Sequence, residues 1–185
     1  MILKKQKPFF LIGPLWAIIF SIASEGWTQP QPQAGTKPPI ITHSYAVDKG
    51  RFGYTWKIYI ESEDEDADML KIACAVDQVG YGFYSRDFIT IKPPDRRNLK
   101  GYIQWNTFSV RTHFLRDYTQ ISLKISIIDK AGNESKEVIF PFEFVSGLAP
   151  ESNPPAPFDK GDIPRLGNIM INLSEPALMG PGNIR

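Results

Sequence analysis

The densest run of ionisable side chains in this chain of 185 residues is Glu61-Ser62-Glu63-Asp64-Glu65-Asp66-Ala67-Asp68, with six carboxylates in eight positions. Carboxylates so crowded repel one another. A hard cation such as Ca²⁺, which takes about six to eight oxygen ligands, would relieve that repulsion. Asp64, Asp66 and Asp68 are therefore candidate metal ligands. The spacing is not that of an EF-hand loop, which needs a central glycine and a distant glutamate. The plainer reading is a solvated acidic loop that keeps the protein soluble and guards strand edges.

Other reactive groups are sparse. There are two histidines, His43 and His113, and neither sits in a nucleophile motif. No G-x-S-x-G or H-E-x-x-H occurs. A carboxylate pair could hydrolyse a glycoside, but such a pair needs separated and differently buried groups, whereas these acids share one loop. The expectation is a protein that is not an enzyme, with a small envelope-acting hydrolase using paired carboxylates as the alternative. The single cysteine, Cys74, cannot form an internal disulfide and reads as a small buried hydrophobe. The formal net charge of +1 lacks the basic excess of a nucleic-acid binder. Arg96, Arg97 and Lys100 read as a solvated turn. Tyr81, Phe83, Tyr84, Phe88, Tyr102, Trp105 and Phe108 form an aromatic group that would either pack the core or offer flat rings to a sugar or peptide.

The elements that must position these residues are strands. Tyr54, Trp56, Ile58 and Ile60 alternate with Thr55, Lys57, Tyr59 and Glu61, and Leu70, Ile72, Cys74 and Val76 with Lys71, Ala73, Ala75 and Asp77. Ile121, Leu123, Ile125 and Ile127 repeat the pattern, as do Val138, Phe140, Phe142 and Phe144. A period of two puts one face in a core and the other in water. Weaker strands are expected at Ile40–Val47, Phe88–Lys92 and Tyr102–Val110. Gly and Pro clusters at 48–50, 80–82, 93–95 and 129–133 punctuate them. About seven short strands at regular spacing predict an all-β antiparallel sandwich over 40–146. Pro141 has no N–H for a ladder, so its strand should be at an edge there, or bulged.

The stretch Ile127-Ile128-Asp129-Lys130-Ala131-Gly132-Asn133-Glu134-Ser135 resembles the F–G hairpin of bacterial immunoglobulin-like and fibronectin type III-like repeats. The resemblance implies an immunoglobulin-like β-sandwich used as a spacer, adhesion or binding module. The Cys–Trp–Cys arrangement of antibody domains is absent, and Trp56 falls on the second strand. In such a sandwich the acidic run is the B–C loop and Asp129–Asn133 the F–G turn, and these lie at the same end. Asp129 and Asn133 would then complete a Ca²⁺ shell begun by Asp64, Asp66 and Asp68.

The two ends of the chain differ from its middle. Lys4, Lys5 and Lys7 precede an apolar run from Pro8 to Ala23 that closes on small residues, the pattern of a secretory signal peptide over 1–23. An uncleaved N-terminal membrane anchor is the alternative. Cleavage would remove three lysines and no acids, leaving 18 basic against 20 acidic residues. Residues 24–39 read as a Pro/Gln-rich linker. Residues 147–185 are rich in Pro, Gly and Asn and read as a disordered tail, with Ile169–Leu173 the one stretch that could add a strand to an edge. The chain is expected in the periplasm or outside the cell, as a non-catalytic binding or structural module acting through sandwich loops or an edge strand. Its expected partner is a protein or an envelope polymer, with no nucleic acid and no stable membrane span after signal cleavage.

Overall fold

A computed structural model of the protein describes residues 37–109, 117–147 and 153–174. The signal peptide expected over 1–23, most of the 24–39 linker and His113 lie outside the described residues.

Two sheets pack face to face. Strands run in the order β1 (Ile40–Ala46), β2 (Lys49–Gly50), β3 (Thr55–Glu63), β4 (Met69–Gln78), β5 (Gly82–Phe83), β6 (Asp87–Thr90), β7 (Asn98–Asn106), β8 (Gln120–Asp129), β9 (Val138–Phe144) and β10 (Arg165–Ile169). The first sheet is ordered β1-β3-β7-β10, and the second β2-β9-β8-β4-β5, with β6 also pairing β4. Reading β1, β3 and β7 as A, B and E, and β4, β8 and β9 as C, F and G, this is the strand arrangement of an immunoglobulin-like sandwich. The seven expected strands are all present. The additions are the two-residue β2 and β5, together with β10.

Period-two patterning does what it should. Trp56, Ile58 and Ile60 from β3 meet Ile72, Cys74 and Val76 from β4 and Leu123, Ile125 and Ile127 from β8 in one core. Trp56 lies at its centre, 4.5 Å from Phe142 and 6.1 Å from Trp105 between ring centroids. Its indole N–H donates to the Val47 carbonyl at 2.9 Å, so the buried ring keeps no orphan donor. Pro141 pairs with Ser122 on β8, and β2 covers β9 only at Glu143 and Phe144. On its other side β9 is thus an edge at Pro141, as its missing N–H requires.

The disordered tail expected over 147–185 is overturned for residues 153–174. Strand β10 pairs parallel to β7, from Arg165 opposite Tyr102 to Ile169 opposite Trp105. Ile169 and Leu173 enter the core, and Phe158 is buried on Tyr59 of β3. The backbone of this segment is held by side chains of the sandwich. The Trp105 indole donates to the Ile171 carbonyl at 2.9 Å, and the Gln78 amide to the Ser174 carbonyl at 2.7 Å. The Met170 and Ser174 N–H groups donate to Asp87 and to the Tyr84 hydroxyl. Composition correctly describes a segment unable to bury itself. It does not register that β7 offers a free edge to pair with. Gly101 makes the approach feasible, since a Cβ there would stand 2.6 Å from the Pro164 carbonyl oxygen.

Candidate functional site

The sandwich brings the acidic loop and the Asp129–Asn133 turn together at one end. Met69 pairs with Asp129, and the Lys130 N–H donates to the Asp68 carbonyl at 3.1 Å. Both loops are built around a buried aspartate. Asp64 accepts from the Asp66 N–H at 3.2 Å and the Asp68 N–H at 2.9 Å. Asp129 accepts from the Asn133 N–H and from its side-chain amide, each at 2.8 Å. These are Asx-type turns, in which a carboxylate replaces the missing backbone acceptors of a tight loop. They explain why aspartate stands at these positions without calling on a ligand. Asp66 accepts from the Lys37 N–H at 2.9 Å, and the Lys37 ammonium pairs with Glu65 at 2.7 Å.

Of the five candidate ligands, Asp64, Asp68, Asp129 and Asn133 are therefore clustered, with Asp66 on the solvent side of the loop. A cation shell would have to displace the bonds to Asp64 and Asp129. Among the described residues no group of three or more acidic, histidine or cysteine side chains has the geometry to hold a metal ion. Asp68 differs from its neighbours: its Oδ1 is buried and makes no hydrogen bond. Burial raises its pKa above the ordinary 3.8, helped by its contact with the Asp64 carboxyl and by the charges of Asp129, Asp64 and Asp66.

The aromatic group does not form one platform. Trp105 is core, Tyr84 clamps Gln78 and Ser174, and Tyr102 belongs to a row with Tyr59 and Tyr45 on the outer face of the first sheet. Phe158 caps that row from the C-terminal segment. Tyr81, Phe83 and Phe88 stay exposed at the β5/β6 margin. The expected solvated basic turn is also divided: the Arg96 Nε is buried, and Lys100 lies on β7, 3.6 Å from Glu61. His43 lies on β1 with its Nδ1 3.2 Å from Glu61, far from any nucleophile motif.

A wide concavity lies on the open side of the sandwich. A groove of about 530 Å³ is lined by Tyr45, Ala46, Val47, Asp48, Lys49, Phe140 and Pro141. It arises because the chain crosses from β1 in the first sheet to β2 in the second, and β2 covers only the far end of β9. A second hollow of about 220 Å³ shares Tyr45 and Val47 with it. At this groove Pro141 breaks the row of donors on β9, whereas β1 keeps regular register there, its shift lying farther along between Ile41 and His43. No periodicity could have announced the groove, since it follows from a chain crossing between sheets.

An all-β, two-sheet sandwich of immunoglobulin-like topology is the class that this architecture defines, and among its described residues no helix is long and apolar enough to cross a membrane. No family model and no curated protein sequence matches the chain. Among solved structures it is similar to the PKD domain of an M14-like peptidase from Thermoplasmatales archaeon SCGC AB-540-F20. That similarity has 13% identity and a TM-score of 0.38, over 60% of this chain and 99% of that one.

Proposed function

We propose that the chain is an exported, non-catalytic binding or structural module of the bacterial envelope, working from the open side between β1 and β9. The observation that carries this reading is the groove of about 530 Å³, where apolar Tyr45, Val47 and Phe140 adjoin Asp48 and Lys49. A concave apolar surface with a few polar groups suits recognition of a peptide loop or a polymer segment. On β9, the missing N–H of Pro141 favours side-chain contact over addition of a strand. The hydrolytic alternative has less to draw on, because the buried carboxylates Asp64 and Asp129 are engaged in holding turns. The N-terminal pattern of lysines and apolar residues supports export.

The test is capture from envelope extract with the chain lacking residues 1–23. Capture should be lost in a Tyr45→Ala, Lys49→Glu variant and kept in Met170→Ala, an exposed position on the other side. Equal capture by both variants would remove the groove from the mechanism.

Calcium at the loop end is a second proposal, favoured by the unpaired, buried Oδ1 of Asp68; since the acids do not stand ready around a cation, it requires the two loops to rearrange on binding. A ligand of the native state raises the melting temperature by mass action. Millimolar Ca²⁺ should then raise it in the wild type and not in Asp68→Asn. No shift with Ca²⁺ or on chelation would end that proposal.

A further inference from the structure

The outer face of the first sheet carries a row of tyrosines. Tyr45 of β1 stands opposite Tyr59 of β3, which stands opposite Tyr102 of β7. Ring centroids along the row are 6.3 and 5.7 Å apart. Burial raises the pKa of Tyr59 above the ordinary 10.0, and the charges that Tyr102, Tyr54 and Tyr45 would carry on ionising raise it further. Four phenol groups are thus gathered on this face.

The C-terminal segment turns the row into a hollow. Phe158 is buried, with its ring 5.5 Å from that of Tyr59. Ahead of it in the chain, Asn153 and Pro154 wall a hollow of about 220 Å³, whose other lining includes Tyr45, Tyr54, Thr55, Lys57 and Tyr59. A cavity of about 150 Å³ holds a benzene molecule, so one six-membered sugar ring fits here.

Backbone and charge together select the ligand. Strand β3 is paired with β1 on one side and β7 on the other, so its ladder groups are already taken. An extended peptide, which binds by pairing with a free edge, finds no partner on this floor. The hollow offers flat rings and hydroxyl groups instead, which suit the C–H face and the hydroxyls of a sugar. Among the described residues lining it, Lys57 is the one side chain charged at neutral pH. Lys57 is exposed, and its ammonium stands 5.2 Å from the centroid of the Tyr102 ring. Glu61, the next outward acid along β3, is taken up by Lys100 at 3.6 Å and by His43 at 3.2 Å. An ammonium on an aromatic floor, with its neighbouring acid already paired, is complementary to an anion.

We propose that this hollow binds one carboxylate-bearing sugar ring of an acidic polysaccharide, the ring against Tyr45 and Tyr59 and its carboxylate on Lys57. Resting on the reading of the chain as a binding module for an envelope polymer, this gives the polymer a chemical class. Tyr45 and Val47 line both the hollow and the groove beside β1, so a polysaccharide seated in the groove presents a neighbouring unit here.

Isothermal titration calorimetry on the full chain tests this with tetragalacturonate, its methyl ester and tetraglutamate. Tetragalacturonate should bind. The ester keeps the sugar rings without the charge and should bind at least about tenfold more weakly. Tetraglutamate keeps the charge without the rings and should give no measurable binding. Lys57→Met should weaken tetragalacturonate binding by at least about tenfold, and Lys57→Arg should retain it. Lys136→Met removes the same charge from an exposed position between β8 and β9 and should bind like the wild type. Near-ultraviolet circular dichroism checks that the variants keep the native core. A wild type that ignores tetragalacturonate, an ester or a peptide that binds as well, or the same affinity in Lys57→Met and Lys136→Met overturns the proposal. Should that happen while capture from extract is still lost in the Tyr45→Ala, Lys49→Glu variant, the acidic sugar is refuted and the groove is kept.

Discussion

Truncating Leu173 to alanine tests whether the C-terminal segment is part of the fold. Leu173 is 1% exposed and joins the core cluster, whereas Met170, three residues earlier, is 74% exposed. A fully buried leucine cut to alanine loses its transfer free energy and leaves a cavity, a cost of about 2–5 kcal/mol. Exposed positions change stability by no more than about 0.5 kcal/mol. With a urea dependence of about 2 kcal/mol per molar for a domain of this size, Leu173→Ala should lower the unfolding midpoint by about 1–2.5 M. Met170→Ala should leave it nearly unchanged. Tryptophan fluorescence is the natural probe, since the Trp105 indole is bonded to the Ile171 carbonyl. The slope of the transition should be the same in both variants, because one cooperative unit is unfolding. Equal midpoints for the two variants would refute the docked segment and return residues 164–174 to a solvated tail.

Three further outcomes are expected. Cys74 is buried and its thiol pKa is pushed up to about 12, by burial first and then by the charge of Asp87, so it should resist thiol reagents in native buffer and react only as the protein unfolds; native-state labelling at the rate of a free thiol would contradict this. Asp68→Asn should raise the melting temperature at pH 7 without calcium. The folded-state pKa of Asp68 is raised, so its ionised form costs stability above that pKa, and the advantage of the variant should vanish as pH falls through it, which melting curves from pH 7 to acid would show. Glu134 has the opposite sign. Burial pushes its pKa up, but hydrogen bonds from Arg86 and Ser126 and the charges of Arg86 and Lys71 outweigh that and leave it below 4.5. Its ionised form therefore stabilises the fold at neutral pH, and this is lost as pH falls through the lowered pKa. Glu134→Gln should melt earlier than wild type at pH 7 and at the same temperature in strong acid.

Seven strands, the core face of four of them and the two loops that meet at one end were legible in the chain, because alternation and turn chemistry are local properties. Trp56, Ile58 and Ile60 face inward for the same reason that Thr55, Lys57 and Tyr59 face outward: successive side chains of a strand point to opposite sides. The meeting of Asp68 with Lys130 followed from topology, once the hairpin at Asp129–Asn133 had been matched to an F–G turn. The role of those aspartates did not follow. A run of acids in a sequence looks like a ligand set, and only geometry reveals that Asp64 and Asp129 turn inward to hold backbone N–H groups.

The amino-acid sequence by itself determined the strands, their buried sides and the class of fold, since a period of two is encoded residue by residue. Tertiary structure alone decided the place of the C-terminal segment and the groove beside β1. Each of these depends on which strands become neighbours. Arg165–Ile169 has no partner within its own stretch of chain and acquires one only where β7 presents a free edge and Gly101 lets it come close.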